Sequence, residues 1–251
     1  QNQRFLVVSH TSPDGDAIGS ILSMGLFLEA LGKDVILYNR DAVPYNYAFL
    51  SGAERIVHDL PEAPVDVAVI LDCGEASRVG EAFERWLSGH ADGADKAPRV
   101  AVVDHHKTYD PDFADVYVRD VSAAAAGELV WRIGAATEVE LTPAIADALY
   151  CCLMTDTGSF RYSNTSRTTF RIAGELVAAG VEPWRMTSEI YESQPRERLE
   201  LLAMVLETLA FSGCGRLAFL RVENRMLDEL GLDTDLTDGF INYARSIQGV
   251  E

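Results

Sequence analysis

Apolar, β-branched runs and helix-period segments take turns along the first half of the chain. FLVVSH (5–10), DVILYN (34–39), DVAVILDCG (66–74) and RVAVVDHH (99–106) are apolar on consecutive positions, as strands buried on both faces are. DVYVRDV (115–121) is expected to be a fifth strand. Between them a helix is expected over 17–31, with Ile18, Ile21, Leu22, Leu28 and Leu31 on one face and Gly32 as its stop. Strands alternating with helices predict an α/β fold: a doubly wound, mainly parallel five-stranded sheet with helices on both faces. From residue 122 helical patterns dominate: AAAAGELVWRI, TPAIADALYCCLM, then 166–179 closed by Gly180. Pro183 opens another, and 196–209 reads as a longer helix. RLAFLRVEN (216–224) then reads as strand after a Gly-Cys-Gly turn. That change of character predicts a first domain over 1–195, a connecting helix at 196–209 and the start of a smaller α/β domain over 210–251.

With 251 residues, 48% of them hydrophobic, the chain has material for a full core. Its formal net charge of −18 repels long polyanions and argues against a broad basic face for duplex nucleic acid. A small anion held by cations in one pocket is compatible with it. The four cysteines, Cys73, Cys151, Cys152 and Cys214, form no Cys-x-x-Cys pair, so neither a disulfide framework nor a zinc ribbon is supported. Cys73, Cys151 and Cys152 are expected to be small core fillers, and His58 and His90 surface residues. No apolar run approaches the ~18 residues of a membrane span, and no signal peptide is visible. The chain is therefore expected to be reduced, soluble and cytoplasmic, with no membrane partner. It opens within four residues of a strand, as expected of a trimmed start.

Three polar clusters follow three of the strands directly: SHTSPDGDAIGS, LDCG and VDHH. In an open parallel sheet the carboxyl ends of the strands line one crevice, and ligands bind there. MTDTGSFRY, after the helix at 144–154, can reach the same rim. His10, Asp14, Asp16, Asp72, Asp104, His105, His106 and Asp156 are thereby gathered into one place. Carboxylates packed this closely repel one another strongly, and divalent cations remove the conflict. Carboxylates and imidazoles without a thiolate suit Mn²⁺, Mg²⁺, Fe²⁺, Co²⁺ or Zn²⁺, and an oxygen-rich set favours Mn²⁺ or Mg²⁺. Two such ions about 3.5–4 Å apart are the usual device for phosphate-ester hydrolysis. Arg78 in SRVG (77–80) is either a surface cation or a group that reaches an anion near Asp72.

Other readings of the same residues fail. DGDAIG mimics the start of an EF-hand loop, but the twelfth position is Gly25 and the stretch enters a helix. DTGS (156–159) matches the aspartic-protease signature, yet only one copy is present and it follows a helix. Neither the P-loop nor the dinucleotide-binding glycine pattern occurs.

HTSPDGDAIGS, DCG, DHH and TDTGSFRYSNTS, in that order, resemble the four motifs of the DHH phosphoesterase superfamily. That superfamily takes in RecJ-like exonucleases, family II inorganic pyrophosphatases, exopolyphosphatases and cyclic-dinucleotide phosphodiesterases. The spacing, the SRVG segment and FRYSNTS are most similar to its oligoribonuclease/pAp-phosphatase (nanoRNase) branch, over essentially 5–195. The resemblance implies two divalent ions, normally Mn²⁺, with Mg²⁺ or Co²⁺ as substitutes. It assigns His10, Asp14 and Asp72 to one ion and Asp16, Asp72, His105 and Asp156 to the other, with Asp72 bridging. It places His106 on the scissile phosphate or the leaving group, and makes Asp104 the acid that orients the site. Asp72, Asp104 and His106 are then the catalytic set, and Arg78 is the further candidate for the substrate anion.

The activity so implied is hydrolysis of short RNA to 5′-mononucleotides and of pAp to AMP, with no long duplex substrate and with a homodimer as the assembly. Linear or cyclic dinucleotides (pGpG, pApA, c-di-AMP) are the alternative substrates, since the chemistry is shared. A non-catalytic, metal-dependent nucleotide-binding module is the other alternative, and the complete ligand set counts against it. FRYSNTS and the length disfavour a pyrophosphatase. The branch carries a second, DHHA1-type domain with a Gly-Gly-Gly-His loop that grips the nucleotide. No such loop occurs here, and the closing INYARSIQGVE resembles the early part of that domain. The chain is therefore expected to hold the metals while lacking part of the clamp.

Overall fold

In the computed structural model of the chain, which describes residues 2–91, 97–232, 234–237 and 239–250, the five apolar runs pair into one parallel sheet. The strands are β1 (Arg4–Ser9), β2 (Asp34–Tyr38), β3 (Val67–Leu71), β4 (Arg99–Asp104) and β5 (Val116–Arg119), in the order β2-β1-β3-β4-β5. Helix α1 (Gly15–Ala30) links β1 to β2, and α2 (Ala76–Val79) and α3 (Glu81–Ala91) link β3 to β4. After β5 come α4 (Ala126–Ala135), α5 (Pro143–Asp156), α6 (Arg167–Ala178) and α7 (Pro183–Thr187). The expected α/β, doubly wound architecture is present. The chain divides into two compact units, one running to Ile190 and one from Tyr191 on. No helix among the described residues is long and apolar enough to cross a membrane.

Side-chain alternation explains why the strands read as continuous apolar runs. Val7, Val69, Leu71 and Val103 face a layer built from α1, α4, α5 and α6, where Ile18, Ile21, Leu22, Leu129, Leu149, Leu153 and Ile172 are buried. Leu6, Val8, Ala68, Ile70, Val100 and Val102 face the opposite layer, closed by Val79 and Phe83 of α2 and α3. Each large aliphatic side chain so buried contributes about 1.5–3 kcal/mol of transfer free energy.

Helix α1 departs from the expected one-faced pattern. It is buried without a break from Gly15 to Gly25, while Leu31, expected on the apolar face, is its C-cap and largely exposed. The reason lies in its small residues. The sheet covers one side of α1, and α5 packs closely on another through Gly15 and Gly19: a Cβ on Gly19 would stand 2.3 Å from the Ala148 carbonyl oxygen and 2.5 Å from Cys152 Sγ. Cys73, Cys151 and Cys152 are all buried, as expected of core fillers.

In the second unit, α8 (Arg196–Leu206) buries Leu201, Leu202 and Val205 against Met226 and Leu227 of α9 (Asn224–Leu230) and against Phe240. Its last helix is α10 (Ile241–Arg245). The strand expected over 216–224 shrinks to β7 (Ala218–Phe219), antiparallel to β6 (Ala210–Phe211). A strand extends only as far as a partner ladder, and β6 offers two residues.

The close α1–α5 approach generates a prediction. Gly19→Ala is expected to destabilise the protein by about 1–3 kcal/mol through overpacking. Gly174→Ala, on the exposed face of α6 where an added Cβ meets nothing within 4 Å, should instead stabilise it by up to about 1 kcal/mol. Urea denaturation of both variants beside the wild type reads the two signs.

Candidate metal centre

The parallel register delivers the polar residues to one edge. Ser9 of β1 stands level with Leu71 of β3, and Leu71 with Val103 of β4, so His10, Asp72 and Asp104 occupy the next row. The chain leaves β1 toward β2 on one side and returns to β3 on the other, which makes the β1/β3 border the topological switch point where such sheets bind ligands. The ladder runs one bond past the strand, Asp72 N–H donating to the Val103 carbonyl at 3.0 Å. Asp72 then adopts a left-handed backbone with φ of +58°. A non-glycine residue there holds strain of about 1–3 kcal/mol, and such residues cluster at functional sites.

Asp72 is the hub. Its Oδ2 lies 3.3 Å from His10 Nε2, and its Oδ1 lies 3.4 Å from His105 Nε2 and 3.6 Å from His106 Nδ1. Asp14 Oδ1 is 4.0 Å from His10 Nε2. His105 Nε2 is also 3.8 Å from Asp16 Oδ2 and 3.4 Å from Asp156 Oδ2. Three triads therefore offer ligand atoms within 4.8 Å of one another: His10–Asp14–Asp72, Asp16–His105–Asp156 and Asp72–His105–His106.

Each group is held from behind. Asp14 caps α1, accepting from Ala17 N–H at 3.0 Å, and Asp16 sits in the first turn of the same helix. Asp16, fully buried, accepts from Ala126 N–H at 2.6 Å and Gly127 N–H at 2.9 Å, the first amides of α4. Unpaired amides and the helix dipole both favour a carboxylate at that position. Asp156 closes α5, and the Asn164 side chain ties its carbonyl to that of Ala124, at 3.0 Å each. Buried Asn39 donates to the His10 carbonyl at 2.9 Å.

The imidazoles fall into two kinds. His10 Nδ1 donates to the Thr11 carbonyl at 2.8 Å and His105 Nδ1 to the Ala123 carbonyl at 3.2 Å. A carbonyl on Nδ1 fixes the tautomer whose Nε2 carries a lone pair, as in metal-ligating histidines. His106 instead pairs its Nδ1 with Asp104 Oδ1 at 2.8 Å.

With the protein's own charges alone, the cluster is in electrostatic conflict. Burial pushes the Asp156 carboxyl up to about 7, with Asp72 and Asp14 adding to the shift and His105 opposing it. Burial and the charges of Asp72 and Asp156 raise Asp16 as well. Burial would raise Asp72 too, but the imidazoles of His10 and His105 overcome it and hold Asp72 at about 2. Burial lowers His105, and the carboxylates of Asp72, Asp16 and Asp156 outweigh it and carry the ring up to about 10. Asp72 Oδ1 is buried without a hydrogen-bond partner. An orphaned carboxylate oxygen, two imidazoles with Nε2 turned inward and a set of oxygen donors without a thiolate fit a divalent cation.

The structure thus brings together His10, Asp14, Asp16, Asp72, Asp104, His105, His106 and Asp156. Arg78 lies outside the triads. Its carbonyl accepts from Thr11 N–H at 2.8 Å, beside the first motif, while its side chain is exposed and makes no ion pair among the described residues. Sequence reasoning missed the α4 amides, Asn39 and Asn164. Only the first left a trace: Gly127, where a Cβ would stand 2.3 Å from Cys152 Cβ, is the glycine in the AAAAGE run.

Comparisons with known proteins give a family and several relatives. The family model described as DHH family, N-terminal domain, matches residues 4–153. The bifunctional oligoribonuclease and PAP phosphatase NrnA of Thermus thermophilus is 32% identical over 245 residues, 97% of this chain and 69% of that protein. The Bacillus subtilis protein of the same description is 21% identical over 96% of this chain and 73% of its own length. The crystal structure of an exopolyphosphatase-related protein from Bacteroides fragilis superposes with a TM-score of 0.89 at 25% identity, covering 100% of this chain and 74% of that one.

The shifts give a pH prediction. Asp156 and His105 bind protons more tightly folded than unfolded, so their contributions are present at low pH. They are lost as pH rises through about 7 for Asp156 and about 10 for His105. Asp72 contributes above its ordinary range and loses that only as pH falls toward about 2. In chelator, stability is therefore expected to fall steadily between about pH 5 and pH 9. Mn²⁺ should restore more of it at the alkaline end and release protons on binding. Denaturation across pH with and without Mn²⁺, and calorimetry in buffers of different ionisation heat, check both statements.

Proposed function

The chain belongs to the DHH family, and from that premise we propose that it is a metal-dependent phosphoesterase that cuts very short RNA to 5′-mononucleotides and converts pAp to AMP. The observation that carries this reading is the array of carboxylates and imidazoles around Asp72 at the switch point of the sheet. Its relatives named as oligoribonucleases and PAP phosphatases support the substrate class. The proposal includes two ions, with Mn²⁺ favoured by the donor set. His10, Asp14 and Asp72 would hold one and Asp16, Asp72, His105 and Asp156 the other. When bound, such ions neutralise phosphate charge and make an attacking water more acidic.

The chain's own groups do the positioning. Asp72 shares its two oxygens between the two triads, so one rigid strand end sets the spacing of both. The α4 amides keep Asp16 from swinging away. His106 is the most exposed imidazole of the cluster, at 37%, and its Nε2 makes no hydrogen bond among the described residues. That nitrogen is free to meet the scissile phosphate or hand a proton to the departing oxygen. Arg78, unpaired beside Thr11, is proposed to steady the substrate's second anionic group. We propose residues 1–195 as the catalytic domain, 196–209 as the connecting helix and 210–251 as contributing to the nucleotide clamp. A homodimer and a cytoplasmic setting complete the proposal.

The experiment supplies Mn²⁺, a 5′-labelled diribonucleotide and pAp to the intact chain, with pGpG, pApA, cyclic dinucleotide and pyrophosphate as comparison substrates. Hydrolysis of the first two is expected, with Asp72→Asn abolishing it. His106→Ala should still bind Mn²⁺ while losing roughly 10²–10⁴-fold in kcat. Undiminished turnover by Asp72→Asn, or no turnover of any phosphate ester by the wild type, would overturn the assignment.

A further inference from the structure

Arg119 ends β5, and the parallel register sets it directly opposite Asp104, the last residue of β4. Its guanidinium reaches three parts of the segment that follows. Nη2 donates to the His106 carbonyl, Nε lies 3.8 Å from Asp104 Oδ2, and Cζ sits 3.7 Å above the centre of the Tyr109 ring. The side chain is only 16% exposed and Asp104 is fully buried. Arg119 Nε and Asp104 Oδ2 are both buried without a hydrogen-bond partner, and they face one another. Apart from the His106 ring, Arg119 is the one basic side chain within ion-pair distance of Asp104 among the described residues. On its other side Asp104 Oδ1 accepts from His106 Nδ1 at 2.8 Å and from His106 N–H at 3.2 Å.

We propose that Arg119 is a positioning residue for His106. Its charge compensates the buried Asp104 carboxylate, whose Oδ1 accepts from His106 Nδ1–H; that bond turns Nε2 toward the substrate, so that a ring protonated at both nitrogens presents Nε2–H to the phosphate or the departing oxygen. Its second contact pins the His106 carbonyl, so the backbone carrying the ring cannot rotate. A buried carboxylate needs such a partner, because removing one member of a buried pair leaves an uncompensated charge. The planar fork suits the task, since it serves a carboxylate, a carbonyl and an aromatic face at once. The loop beyond is fitted to the arrangement. Asp110 N–H donates to the Gly74 carbonyl at 3.1 Å, a Cβ on Gly74 would stand 2.6 Å from Tyr109 Cβ, and Tyr117 meets the Tyr109 ring edge-on at 5.5 Å. Tyr109 and Asp110 thus join the segment after β4 to the segment after β3, and Arg119 lies over the Tyr109 ring.

The inference rests on the reading of His106 as the group that meets the phosphate, and its test has an arm that does not depend on turnover. Long-range proton–nitrogen spectra of the His106 ring are compared in wild type, Arg119→Met and Arg119→Lys. Wild type should show the proton on Nδ1, Arg119→Met a mixture of both tautomers, and Arg119→Lys a return to Nδ1, since charge is restored without the fork. With Mn²⁺, Arg119→Met should lose roughly 10–100-fold in kcat on a dinucleotide, at unchanged KM and unchanged calorimetric Mn²⁺ affinity. The loss should be smaller on a p-nitrophenyl phosphodiester, whose leaving group needs no proton. Arg119→Lys should recover part of it.

A wild-type tautomer in Arg119→Met, or a loss of kcat matched by a loss of Mn²⁺ affinity, would overturn the inference in favour of a purely structural role. Should Arg119→Met not fold, a wild-type kcat in Arg119→Lys overturns the carbonyl contact and a reduced one supports it. A wild type inactive on every ester defeats the proposed function instead, and the spectra still decide the place of Arg119.

Discussion

A buried carboxylate must be neutralised, and Asp72 is the place where this chain meets that demand. It stands at the end of a fully buried strand, in a left-handed conformation, between His10 on one side and His105 on the other. Around it lie three more acids that burial and mutual repulsion drive toward their protonated forms. The imidazoles relieve part of the conflict, but one Asp72 oxygen still lacks a hydrogen bond. Cations satisfy both needs together, which is why a sheet edge so costly in its bare form is the centre of the molecule.

The rest of the first unit serves to keep that edge rigid. Glycines in α1 let α5 approach closely enough for Asp156, its last residue, to reach the same cluster as Asp16 in the first turn of α1. Cys152 packs against both Gly19 and Gly127, so the α1–α5 contact and the α4 amides that grip Asp16 share one small buried thiol. Packing and chemistry are therefore coupled: a methyl group added at Gly19 or Gly127 disturbs the helices and the carboxylates alike.

Much of this was legible in the sequence. Apolar runs ending in Asp or His marked the strands and their carboxyl ends, because several buried acids converging there need a partner to offset their charge. Parallel pairing then turned the end of each run into a neighbour of the next. What was not legible depended on three-dimensional support. Leu31 matched the helical period yet lies exposed, since periodicity cannot tell where a helix leaves the sheet it covers. The run 216–224 has strand-like residues, but ladder length depends on a partner that local pattern does not reveal. Backbone donors such as the α4 amides carry no side-chain signature at all.

The adjacent pair His105 and His106 shows how far environment, and not residue type, settles a role. His105 rests its Nδ1 on a carbonyl, a neutral acceptor that fixes the tautomer while adding no charge, and turns Nε2 into the acids. His106 rests its Nδ1 on a carboxylate, which adds a negative charge beside the ring and leaves Nε2 without a partner in the described structure. The first arrangement suits a cation ligand, the second a ring that works on a phosphate. The one-residue step between them sends the two rings to different neighbours, with centroids 4.8 Å apart and planes inclined at 58°. The sheet register sets Arg119 against Asp104, the carboxylate on which the second ring rests. Two identical side chains at the end of one strand can therefore divide metal binding and substrate contact between them.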